Sequence, residues 1–143
     1  MTVEIPTEAT AKRDVLGIAL TTTAVILTLA TAYIHWTLGG MMFTLTALAY
    51  TALAAGLVIP LGPLAHVRYL VRLGLLGFAL FTIFGWLLFG GRFDLAYLDK
   101  AIEIALVVVV SVMLVRFDGG PTGIIARLRS LPTDLLALVR RSG

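Results

Sequence analysis

Four long apolar stretches, separated by short polar or glycine-bearing breaks, set the pattern of this chain. They run over residues 15–36, 41–59, 70–89 and 95–115, each about 28–33 Å as a helix and so long enough to cross a bilayer. The first three carry no acidic residue, and their one formal charge is Arg72 at the start of the third. The fourth is different: its first half holds Asp99, Lys100 and Glu103. The breaks at Thr37–Gly40 and Gly90–Asp94 are so short that consecutive helices must lie antiparallel as neighbours. The pattern predicts an all-α, up-down-up-down bundle of four transmembrane helices, with Asp94 as N-cap of the fourth.

The flanks divide the chain further. Residues 1–14 form a polar N-terminal tail in which Pro6 and Thr7 are placed to start a short surface helix. The apolar run after Lys12 and Arg13 is longer than the core of a secretory signal, so it reads as a retained span. Residues 15–116 make the four-helix domain. Residues 117–143 follow the breaker Phe117-Asp118-Gly119-Gly120-Pro121 and read as two short segments split by Pro132. The second sets Leu135, Leu136, Leu138 and Val139 against Asp134, Arg140 and Arg141, an amphipathic pattern for the cytoplasmic membrane face or a partner subunit.

Composition agrees with a membrane protein. Hydrophobic residues make up 59% of the 143, charged residues only 13%, and the mean hydropathy is +1.02. A soluble domain of this size has too little interior to hide so much apolar surface. The net charge of +3 comes from basic residues flanking the apolar runs. Lys12, Arg13, His66, Arg68, Arg72, Arg116, Arg127, Arg129, Arg140 and Arg141 fall on one side, against Arg92 and Lys100 on the other. By the positive-inside rule both termini face the cytoplasm, in the inner membrane. No basic patch interleaved with aromatics suggests nucleic acid. The absence of cysteine removes disulfides, thiolate metal sites and iron–sulfur clusters.

Small residues mark where helices approach closely in lipid. The first span offers Thr21, Ala24, Thr28, Ala32 and His35 as a stripe, the second Ala47, Thr51 and Ala55 beside Ala52 and Gly56. The third offers Gly74, Gly77 and Gly85. The threonines can return their hydroxyls to carbonyls one turn back.

Under this topology His35, Asp99, Lys100 and Glu103 share the outer leaflet with the aromatics Tyr33, Trp36, Trp86 and Tyr97. Glu103 lies roughly 12 Å along the fourth span, where an unpaired carboxylate is costly. One reading pairs it with Lys100, which then snorkels to the interface. The other brings it to His35 as a proton-sensitive pair. His35 and His66 lie on opposite sides, and a single histidine with Glu103 is a poor metal site by ligand count, so no metal or cofactor is expected. No nucleophile motif, phosphate loop or zinc-protease signature is present, and an enzyme is not expected.

The segments IHWTLGGMMFTLTALAY, RYLVRLGLLGFALFTIFGW and YLDKAIEIALVV resemble small, uncharacterised four-helix integral membrane proteins of prokaryotes. The resemblance rests chiefly on His35-Trp36 with the double glycine and on the run from Asp99 to Glu103. It implies the same topology and carries no information on activity. The small size, small-residue faces and basic tails lead to the expectation of a non-enzymatic subunit or scaffold packing against other membrane proteins or further copies, an energy-transducing complex being one setting for it. The alternatives are a small oligomeric proton- or ion-coupled transporter using Glu103 and His35, or a lipid, quinone or pigment binder.

Overall fold

A computed structural model describes residues 8–60, 62 and 68–142, which form five helices: α1 (Glu8–Leu38), α2 (Met41–Val58), α3 (Arg68–Phe89), α4 (Asp94–Asp118) and α5 (Gly120–Ser142). The expectations resting on Pro6, Thr7 and His66 lie outside the described residues. Three helical stretches, Val15–Leu38, Met41–Val58 and Arg68–Phe89, are long and apolar enough to cross a membrane. They mark a multi-pass membrane protein in contact with lipid.

The connections explain the packing. Gly39 and Gly40 both take positive φ, 70° and 83°, a conformation that a side chain would strain. Their double bend reverses the chain between α1 and α2. With α4 turned back on α3 across the short connection of residues 90–93, α1 packs on α2 and α4, and α3 on α4 and α2, closing a ring of four. Tyr50, Leu75, Leu106, Val110 and Met113 fill its axis together with Ala24 and Ala79. The outside is apolar too: Ile18, Leu48, Phe81, Leu88, Val108 and Val115 are all exposed. A water-soluble monomer rarely shows apolar surface on that scale, whereas lipid tails accept it.

Several boundaries differ from the sequence reading. α1 begins at Glu8, well before the apolar run. Phe93, in extended conformation, occupies the N-cap of α4 without a side-chain cap bond. Asp94 is already in the first turn, where its charge still favours the helix dipole. Gly119 ends α4 in the left-handed region, but the chain re-enters a helix at once. Pro121 stands in the first turn of α5, where a missing N–H costs nothing. Pro132 does not split α5, which runs unbroken around it. The ring is exposed, so the Leu128 carbonyl it orphans faces outward and not into the packed bundle.

The close-approach residues also need revision. On α1, Ala24, Thr28, Ala32 and His35 are buried, and Thr28 Oγ1 donates to the Ala24 carbonyl at 2.6 Å. On α2 the buried face is Ala47, Tyr50, Ala54 and Leu57. Thr51 is exposed, returning its hydroxyl to the Ala47 carbonyl, and Ala55 is only half-buried. Packing Tyr50 inward rotates the helix away from the Thr51 stripe. On α3 the buried positions are Tyr69, Leu75 and Ala79. A Cβ on Gly74 would meet Leu53 at 3.5 Å, while around Gly77 and Gly85 nothing lies within 4 Å. Gly77 and Gly85 are therefore not packing contacts. Close approach of α2 to α3 is instead marked by Gly56, where a Cβ would fall 3.0 Å from Val71.

Candidate functional site

All four helices of the ring contribute to one buried polar centre. α1 supplies Thr31 and His35, four residues apart and so on one face. α4 supplies Asp99, Lys100 and Glu103, α2 supplies Tyr50, and α3 supplies Thr82. Glu103 is 0% exposed, Asp99 2% and Lys100 7%. Nowhere else in the ring do so many polar side chains meet.

Lys100 lies between the two carboxylates, its Nζ 3.0 Å from Asp99 Oδ2 and 2.5 Å from Glu103 Oε2. It does not snorkel, because both of its counter-charges face the bundle interior. Glu103 Oε1 accepts from Tyr50 Oη and Thr82 Oγ1, both at 2.8 Å, with those two hydroxyls also 2.8 Å apart. Thr31 Oγ1 donates to Asp99 Oδ1 at 2.5 Å and lies 3.4 Å from Glu103 Oε1. A carboxylate this enclosed is stable only when such donors replace water.

His35 joins through Asp99 more than through Glu103. Its Nδ1 is 3.6 Å from Asp99 Oδ1 and 2.9 Å from the Thr31 carbonyl. A carbonyl only accepts, so Nδ1 carries the hydrogen and Nε2 is left as the ring's acceptor. The rings of Phe43 and Tyr50 flank the imidazole with centroids at 6.0 and 5.8 Å.

The centre thus gathers two carboxyl groups, one amine and one imidazole in a single buried contact network.

His35, Asp99 and Glu103 each offer a ligand atom, all within 4.8 Å of one another. Asp99 thus adds a third donor to the pair weighed from sequence. Between them stands Thr31 Oγ1, 2.5 Å from Asp99 Oδ1, 3.4 Å from Glu103 Oε1 and 3.4 Å from His35 Nδ1, while the Lys100 ammonium holds the other oxygen of each carboxylate.

The aromatics lie near the same end. Tyr33, Trp36 and Tyr97 are exposed. Trp86 packs edge-on to Tyr97 with ring centroids 5.4 Å apart, donates from Nε1 to the Gly91 carbonyl, and lies under the Arg92 guanidinium at 4.2 Å. Such amphipathic rings suit a membrane interface.

Sequence reasoning missed Thr31, Tyr50 and Thr82. Thr31 had a signal, being one turn from His35 on the same face. Tyr50 and Thr82 looked like ordinary members of apolar runs. A second ionic site at the opposite end was also missed. Asp118, 2% exposed, receives Arg72 through both carboxylate oxygens at 2.9 and 2.8 Å and Arg127 at 3.1 Å.

No family model matches this chain, and no curated protein or solved structure matches it.

Proposed function

We propose that this chain is a four-span, non-enzymatic protein of the inner membrane that takes up and releases a proton at the His35–Asp99–Lys100–Glu103 centre, acting as a small proton-coupled transporter subunit. The observation that carries this reading is the enclosure of two carboxyl groups, one amine and one imidazole among four helices. Ionisable groups within a membrane are expensive, and proton relays are a principal use of them.

The burial pattern of α4 supports a fourth crossing. Its three charged mid-helix side chains turn inward, while Leu98, Ile104, Val108, Val112 and Val115 turn outward. Lipid would therefore meet only apolar groups. The distribution of arginines supports cytoplasmic termini: Arg68, Arg72, Arg116 and Arg127 lie toward one end, Arg92 at the other.

The centre is one-sided. His35 is one turn from the end of α1 at the Gly39–Gly40 bend, whereas the buried residues of α4 between Glu103 and Asp118 are Leu106, Val110, Met113 and Leu114. That apolar stretch is about 22 Å long by the helical rise. Proton passage to the other side then requires a rearrangement or further subunits.

A second reading is favoured by the mutual satisfaction of the centre's oxygens. On it, the cluster is a polar fastening that fixes the helix order of a scaffold subunit, much as buried polar groups specify other assemblies.

Proteoliposomes under an imposed pH gradient distinguish the two. Wild-type protein is expected to dissipate the gradient faster than empty vesicles, and Glu103→Gln is expected to remove most of that difference. Identical leak from wild type, Glu103→Gln and empty vesicles would overturn the transporter reading. A stable copurifying membrane partner would then favour the scaffold.

A further inference from the structure

We propose that the Arg68/Arg72 end of the bundle holds an anionic phospholipid, its phosphate on the two guanidinium groups and its chain origins in the adjoining cleft. A cavity of about 620 Å³ opens there, lined by Gly17, Ile18 and Thr21 of α1, Leu57 of α2, and Arg68 and Arg72 of α3. Its size fits a headgroup with the first carbons of its chains. Its lining joins apolar side chains, Ile18, Leu57 and Phe117 among them, to two guanidinium groups, the complement of an acidic lipid more than of a soluble anion.

The guanidinium groups have donors to spare. Arg68 uses one terminal nitrogen on the Ile59 carbonyl at 2.9 Å, and Arg72 uses one on Asp118. The Nε of each is buried without a hydrogen-bond partner among the described residues. The terminal N–H groups left over from those two contacts are the donors a phosphate in the cavity would use. The local charge agrees: Arg68, Arg72 and Arg127 outnumber Asp118. Arginine pairs with phosphate through two parallel bonds, and basic pockets between spans on the cytoplasmic side bind acidic headgroups.

This site rests on the membrane reading given above but not on the proton chemistry. Its failure is separable, because lipid affinity is read on purified protein whatever the flux assay returns. The test is thermal denaturation of the full chain in a neutral detergent, titrated with phosphatidylglycerol, phosphatidylcholine or inorganic phosphate. Phosphatidylglycerol is expected to raise Tm saturably, and the other two are not. Arg68→Gln is expected to weaken the phosphatidylglycerol effect about tenfold, the loss of one charge-assisted contact, while Arg68→Lys retains more of it. Arg92→Gln, at the opposite end, is expected to bind as wild type. Equal shifts with phosphatidylcholine, an equal shift with phosphate alone, or undiminished binding by Arg68→Gln would each overturn the proposal.

Discussion

Lys100→Met is expected to destabilise the protein by about 3–5 kcal/mol, the usual result of removing one partner from a buried ion pair. Asp99 and Glu103 both depend on the same ammonium, at 3.0 and 2.5 Å. Without it, two carboxylates face each other inside the bundle with only hydroxyl donors left. Hydroxyls from Thr31, Tyr50 and Thr82 stabilise a charge but do not cancel one. The double variant Lys100→Met/Glu103→Gln leaves one carboxylate without the ammonium and is expected to recover part of the loss. Glu103→Gln alone leaves Asp99 paired with Lys100 and is expected to fold well. Thermal unfolding in detergent measures all three. A Lys100→Met protein as stable as wild type would mean that the centre is neutralised in some other way.

Asp118→Ala is expected to have the second largest effect, about 2–3 kcal/mol, with loosening of α5. Arg72 is mostly buried beside Asp118, so losing the carboxylate strands a guanidinium in a partly apolar site, where it also stacks on Phe117 at 5.0 Å. Arg127 is 44% exposed at its side chain, and its own share is small after solvent screening. Its role is positional, since it ties α5 back to the end of α4 across the Gly119–Gly120 bend. The geometry of that bend leaves little alternative: a Cβ on Gly123 would fall 2.2 Å from the Asp118 carbonyl oxygen. Hydrogen exchange should therefore quicken in α5 and not in α2. Unchanged protection of α5 in the variant would contradict this account of the tether.

Apolar run length made three spans and the order of the helices legible, because crossing distance is a matter of residue count. The fourth apolar run identified a helix with an ionic cluster for the same reason. Which way the helices face was legible for α1, whose stripe Ala24, Thr28, Ala32 and His35 is buried, but not for α2 and α3. Lys100 turns inward because Glu103 is held from the far side by Tyr50 and Thr82, and neither residue differs locally from its apolar neighbours. The buried face of α2 follows Tyr50 for that reason and leaves Thr51 outside. Gly77 and Gly85 show the converse: small residues permit close approach without requiring it. Pro132 misled because the lost bond and the clash with the preceding turn make proline costly within a helix without forbidding it, and α5 carries it on an exposed face. Asp118 was hidden in a turn sequence whose glycines drew the attention.

Cysteine labelling from either side of the membrane tests most directly whether α4 crosses with its charges turned inward. The chain has no cysteine of its own, so each introduced thiol reports alone. With a membrane-impermeant maleimide on intact cells, Phe93→Cys is expected to react. Ser130→Cys is expected to react only after permeabilisation. Reaction of both from the same side would contradict the fourth crossing, and with it the placement of the polar centre inside the membrane.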